Sequence, residues 1–249
     1  MEMKSVIRSL RVLEAVAQHQ PVSVSELAKL FDLPKSTMQR TLITLSEAGW
    51  LRASRGDRTR WEIGARVLAV RPAAFQGSSL FAAAREPMLR LRDAVDETIH
   101  LSVPDGLECM VVVDRVDSTQ TVRTFYQIGE TSPLHTTAVG HAVLAHFSAD
   151  DINEVVTGSL HHYGASTFTE PAQLRVALDH VRQVGYAVNR NQFRPDVCAI
   201  AAPILDRSGT PLAAVAISMP DSRFDDDRLS EWGRLVAATA DEISTRHGG

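Results

Sequence analysis

Residues 35–40, KSTMQR, gather lysine, serine, threonine, glutamine and arginine within one turn and a half of chain. These types can hydrogen-bond to base edges and phosphates. Arginine pairs bidentately with guanine, glutamine with adenine, and an aliphatic methyl meets that of thymine. Ser36, Thr37, Gln39 and Arg40 are the candidates for base edges, and Ile43 for a thymine methyl. Lys35 suits a phosphate, as do Arg52, Arg55, Arg58 and Arg60 a little further on; phosphate contacts position without specifying sequence. A second set is His135, His141 and His146, with Cys198. Gaps of six and five residues between the histidines match no ligand motif, so no metal site is expected. Cys198 reads as a buried core residue. Its alternative is a nucleophile paired in space with His135 or His141.

The polar cluster needs an element to present it. At about 100° per residue, Met38, Leu42 and Leu45 form one stripe of a helix, with Ser36, Arg40, Ile43 and Glu47 opposite. Pro34 suits its first turn, and Gly49 ends it. Before it, Ser23 and Glu26 have the spacing of a capping box, with Val22 and Leu27 as a hydrophobic staple. Val24, Leu27, Ala28 and Phe31 form the inward face of that helix. An earlier helix over 4–18 is expected to bury Val6, Leu10, Leu13 and Ala17. Two short helices and a tight turn make a helix-turn-helix. The strands WLRAS and TRWEIG, around RGDR, add an arginine-bearing wing.

Further on, residues 64–98 read as helical with breaks near Pro72 and Gly77, and within the amphipathic SSLFAAAREPMLRLRDAVDETI Pro87 should bend the helix or start a new one. IHLSVPDGLECMVVVDRV is a hairpin around Pro104-Asp105-Gly106, and TVRTFYQIG a further strand. TTAVGHAVLAHF and PAQLRVALDHVRQVG read as helices. CAIAAPIL and LAAVAISMP form another hairpin, and DDRLSEWGRLVAATADEISTRH a closing helix, capped by Asp225, Asp226 and Asp227. Hairpins interleaved with helices make an α+β domain.

Bulk properties agree with this division. At 249 residues the chain suits two domains, and 44% hydrophobic with 22% charged residues suits a soluble protein with a real core. Residues 1–70 carry a net charge of +4 and the remainder −8, which points a polyanion partner at the first part only. No apolar run approaches the roughly 18–20 residues of a membrane span. The N-terminus lacks a secretory signal, and two cysteines make no disulfide framework, so a cytoplasmic location is expected. Three classes stay open on these grounds: a ligand-controlled DNA-binding regulator, an enzyme using Cys198, and an adaptor whose winged domain binds protein.

Three blocks in order then carry a resemblance: LAKLFDLPKSTMQRTLITLSEAGWL with IGARVL, IGETSPLHTTAVGHAVLA, and GYAVNRNQFRPDVCAIAAPILDRSGTPLAAVAISMP. The chain resembles the isocitrate-lyase-regulator (IclR) family of bacterial transcription factors along nearly its whole length. The resemblance implies a winged helix-turn-helix over 1–66, a linker helix over 67–82 and a GAF-like effector domain over 83–249. It implies double-stranded operator DNA and a small organic acid as partners, no cofactor, and a homodimer or dimer of dimers. Matched position by position, Tyr126, Leu134, Gly140, Asn189, Cys198, Ala199, Ala216 and Ser218 fall on or beside the family's effector pocket. Asn189 stands where an aspartate is common and Ala199 where the family places a cysteine. On a strand, one residue's displacement turns Cys198 to the other face. Loss of the acid and of a hydroxyl, with Tyr126 present, points to a larger aromatic acid. Gly140, at a helix start, would let such a ligand approach the backbone.

Overall fold

In the computed structural model, which describes residues 4–54, 59–67 and 80–248, Ser23 and Glu26 cap one another. The Glu26 N–H donates to Ser23 Oγ at 3.3 Å, and the Ser23 N–H donates to the Glu26 carboxylate at 2.7 Å. Two backbone donors that a helix start leaves unpaired are thereby satisfied. Ser23→Ala is expected to cost about 1 kcal/mol. Urea denaturation followed by circular dichroism checks this, and an unchanged midpoint would show that the cap contributes nothing.

The chain divides into two compact units, Met1–Gly77 and Ser78–Gly249. In the first, helices α1 (Lys4–His19), α2 (Val24–Leu30) and α3 (Lys35–Glu47) precede an antiparallel hairpin, β1 (Leu51–Ala53) and β2 (Trp61–Ile63). Met38, Leu42 and Leu45 of α3 point into a core with Val12, Val16, Val22, Leu27, Leu51 and Trp61. Pro34 stands one place earlier than expected, at the N-cap of α3. Gly49 ends α3 with φ of +81°, a conformation that costs glycine little. Helix α1 departs from its expected face. Val12, Ala15 and Val16 are buried, while Val6, Leu10 and Ala17 are exposed, because only its C-terminal half packs on α3 and β2. The turn of the wing, with Arg55 and Arg58, and residues 68–79 of the expected linker helix lie outside the described residues.

The second unit begins with α4 (Leu80–Val95), whose Leu80, Ala83 and Ala84 already sit in its core, so a boundary at 83 falls inside this helix. Pro87 lies within α4, which continues past it. Then follow β3 (Thr98–Asp105), β4 (Cys109–Val116), β5 (Thr131–Pro133), α5 (Ala138–Leu144), α6 (Ala149–Thr157) and α7 (Pro171–Val184). β6 (Ala187–Arg190), β7 (Val197–Leu205), β8 (Pro211–Pro220) and α8 (Leu229–Gly248) complete it. The strands make one six-stranded sheet in the order β5-β4-β3-β8-β7-β6, antiparallel throughout.

Strand alternation sends side chains to two different cores. On β7 and β8, Cys198, Ile200, Ala202, Ile204, Val215, Ile217 and Met219 pack toward α4 and α8. Their neighbours Ala199, Ala201, Ala214 and Ala216 face α5, α6 and α7. One face of these two strands is thus bulky and the other small, and the small face leaves room. Segment 121–129 is irregular rather than a strand. Its Thr124 donates to the Ser218 carbonyl at 2.9 Å and accepts, through its own carbonyl, from the Thr98 hydroxyl at 3.2 Å. Side chains thereby replace a ladder and make the segment a strap. Asp225 caps a 3₁₀ turn ahead of α8 by accepting the Asp227 N–H, while Asp226 pairs with Arg190.

Candidate functional site

On α3 the buried stripe fixes which side chains face outward. Lys35, Ser36, Arg40 and Ile43 are exposed, and Thr37 and Gln39 half-buried. The Thr41 and Thr44 hydroxyls donate to the carbonyls of Thr37 and Arg40, within the helix. Lys35 and Arg40 make no ion pair or side-chain hydrogen bond among the described residues, so their charges are open to a partner. Two of the wing arginines also have partners within the unit. Arg60 donates to the Pro21 carbonyl at 2.9 Å and meets Glu26 at 3.4 Å, which braces β2 against the start of α2. Arg52 is paired with Glu62 at 2.7 Å. Arg66, which motif reasoning passed over, donates to the Ala48 carbonyl at 3.0 Å beside Trp50.

In the second unit a cavity with about 50 Å³ of free interior volume lies on the small face of the sheet. Tyr126, Asn189, Ala199, Ala216 and Ser218 line it, with His100, Ser102, Val112, Thr137, Ala138, Val139, Phe193, Arg194 and Val197. Leu134, Gly140 and Cys198 do not. Leu134 is buried in the core beneath α5. Gly140 gives no approach to a ligand, because an added Cβ would lie 2.2 Å from the Leu134 carbonyl oxygen. Its N–H is also engaged, donating to Thr137 Oγ1 at 3.1 Å.

Cys198 faces the opposite core and donates its S–H to Asp221 at 3.1 Å. Burial first, then the Asp221 carboxylate, pushes its thiol up to about 12, so thiolate is scarce at neutral pH. His135 and His141 do not reach it. His141 Nε2 is hydrogen-bonded to the His135 carbonyl at 2.9 Å and burial holds its ring down to about 4. No group of three or more metal-ligating side chains occurs among the described residues.

Asn189 is engaged by the protein: it donates to the Thr136 carbonyl and, at 3.1 Å, to Gln192. The strap contributes Tyr126 to the cavity wall. Arg115 donates to the Tyr126 carbonyl, and Arg194 lies over the Tyr126 ring at 4.3 Å while paired with Glu130. Below it, His100 meets the Tyr126 ring edge-on at 5.1 Å. His100 sits in the apolar alternation of TIHLSV, which gives no signal of a site. Its Nε2 and the Ser218 Oγ are buried without a hydrogen-bond partner among the described residues. An unsatisfied buried polar atom costs about 1–3 kcal/mol, so two on one cavity wall mark a place where a guest's polar group fits. Burial first, then Arg115 and Arg194, holds the His100 imidazole down to about 3.

Comparison with known proteins adds a third line. Residues 5–55 match the IclR helix-turn-helix domain, and residues 73–245 match the bacterial transcriptional regulator IclR C-terminal domain. The transcriptional repressor IclR of Escherichia coli (strain K12) is 31% identical over 251 residues, covering 100% of this chain and 91% of the relative. The crystal structure of the Thermotoga maritima IclR matches with a TM-score of 0.81 at 25% identity, covering 100% of both chains. An IclR homologue from Microbacterium hydrocarbonoxydans, complexed with 4-hydroxybenzoate, shares the fold at a TM-score of 0.81 and 23% identity. It covers 97% of this chain and 98% of that one.

Proposed function

The chain belongs to the IclR family of bacterial transcriptional regulators, and from that premise we propose a repressor that binds a specific operator and responds to a small aromatic acid. The observation that carries the operator part is the free row on α3. Arg40 and Lys35 stand exposed and, among the described residues, unpaired on a helix anchored by Met38, Leu42 and Leu45. Ser36, Thr37, Gln39 and Arg40 would read base edges, Ile43 a thymine methyl, and Lys35 a phosphate. The wing arginines Arg55 and Arg58 would add phosphate contacts. A homodimer or dimer of dimers would place two such helices on a two-fold operator. Among the described residues no helix is long and apolar enough to cross a membrane, and the reading puts the protein with its DNA in the cytoplasm.

The cavity supports the aromatic acid. Its walls are mostly apolar, with Tyr126 and Phe193 offering ring contacts and Ala199 and Ala216 leaving width for a flat ring. Binding there would shift the operator equilibrium only by as much as the two DNA-binding arrangements differ in ligand affinity. Fluorescence anisotropy on DNA flanking the gene, with and without 4-hydroxybenzoate or benzoate, tests this. Operator affinity that falls with acid is expected, together with a steep loss with salt. Affinity and footprint that ignore every acid tried would remove the ligand-controlled part. Binding without salt dependence would favour the adaptor reading.

A further inference from the structure

We propose that His100 receives the acid group of the ligand, with Ser218 as its second donor, so that an aromatic monocarboxylate lies head-inward against β3 and β8. The inference rests on the reading of the cavity as the effector site and names the residue that recognises the ligand's charge.

Both side chains are almost wholly buried, His100 at 4% exposure and Ser218 at 3%, and both face the cavity. Both hold a polar atom with no partner among the described residues. The register places them as a pair: Thr98 lies opposite Ser218 and His100 opposite Ala216. His100 and Ser218 are therefore diagonal neighbours on adjacent strands and the same face, about 7–8 Å apart at the backbone. That gap suits a carboxylate accepting from both. Ala199 and Ala216 flank them without a side-chain donor, and Ser102, two residues along β3 on the same face, adds a further hydroxyl. Of the other polar groups on the wall, Asn189 holds Thr136 and Gln192 and Thr137 caps α5, while the hydroxyls of Ser102, Ser132 and Tyr126 make no hydrogen bond among the described residues and are open to the ligand's remaining polar groups.

The charges facing His100 come from three elements. Arg115, at the end of β4, is paired with Asp117. Tyr126 and Glu130 come from the strap, and Arg194, from the segment between β6 and β7, is paired with Glu130. Burial and the two arginines hold the empty ring neutral, so His100 first meets the carboxylate as a neutral partner, and the ligand's negative charge must offset burial and both arginines for the ring to take up a proton. The step balances as ligand carboxylate plus one solvent proton plus neutral imidazole giving carboxylate beside imidazolium, with no bond to carbon made or broken. The sign follows: the bound state holds the proton more tightly than the empty one, so affinity rises as pH falls. The slope is at most about tenfold per pH unit.

The test is calorimetric titration of the full chain with benzoate and 4-hydroxybenzoate at pH 6, 7 and 8, in wild type, His100→Gln, Ser218→Ala and Ala199→Phe. Wild type is expected to bind more tightly at pH 6 than at pH 8. His100→Gln should lose about ten- to a hundredfold in affinity and the pH dependence with it. Ser218→Ala should weaken binding and keep the slope, and Ala199→Phe should abolish binding by filling the cavity. His100→Gln binding like wild type with the same slope overturns the inference while Ala199→Phe still supports the cavity. Undiminished binding by Ala199→Phe, or no binding of either acid by wild type, overturns the aromatic-acid reading of the cavity and the inference with it. A wild-type measurement guards against a variant that fails to fold. In histidine-labelled protein at pH 7, one ring-nitrogen resonance should move toward the imidazolium position on adding benzoate, and unchanged resonances at saturation overturn the proposal.

Discussion

Gly140→Ala is expected to destabilise the C-terminal unit by about 3 kcal/mol, the upper end of the range for overpacked cores. An added Cβ would lie 2.2 Å from the Leu134 carbonyl oxygen, 2.6 Å from its Cα and 2.7 Å from its carbonyl carbon. All three are backbone atoms, so no side chain can swing aside. The 3₁₀ turn Leu134–Thr136 or the start of α5 would have to move, and both are fully buried. Moving α5 also shifts Ala138 and Val139, which line the cavity. Ligand binding should therefore weaken along with stability. Urea denaturation of the full chain measures the first effect, with the C-terminal transition moving to lower denaturant. A change below about 1 kcal/mol would mean that the turn gives way easily and that Gly140 does not set the packing.

Arg40→Ala is expected to cost about 1–3 kcal/mol at the cognate operator, roughly five- to 150-fold in affinity, and to relax base preference at one position. Stability should stay within about 0.5 kcal/mol, because the side chain is exposed and has no partner among the described residues. Lys35→Ala should behave differently, weakening binding on all sequences and lowering the salt slope by about one. Competition titrations against a single-base library at fixed salt separate the two. Equal weakening on every sequence would make Arg40 a phosphate contact. Arg60→Ala belongs to neither class: it removes the brace on Pro21 and Glu26, so a stability change should accompany any loss of DNA affinity.

The winged unit was legible where local chemistry decides the structure. The Ser23–Glu26 spacing specifies a cap, and the helical period of Met38, Leu42 and Leu45 specifies an inward face. Helix α1 was misread because its apolar period continues past the point where a partner is available. Val6 and Leu10 fit a helix face but stay about half exposed among the described residues. In the second unit the hairpins of β3–β4 and β7–β8 follow from their turns. TVRTFYQIG has strand-like composition, but hydrogen bonds from Thr98 and Thr124 to distant residues decide its path. The same limit hid His100 and Arg194. A histidine among alternating apolar residues and an arginine in a loop acquire a role only when β8 and the strap meet them. The reversal of Cys198 was legible, because facing on a strand depends on count alone.

The division of β7 and β8 into a bulky and a small face has an evolutionary consequence. Ala199 and Ala216 line the cavity, with Ala201 and Ala214 packed on the same face, whereas the aliphatic residues between them hold the sheet to α4 and α8. Exchanges on the first set leave the contacts of the second intact, so their effects should add independently of it. A lineage can therefore reshape the chemical it senses by trading alanine for glycine, serine or valine at these places.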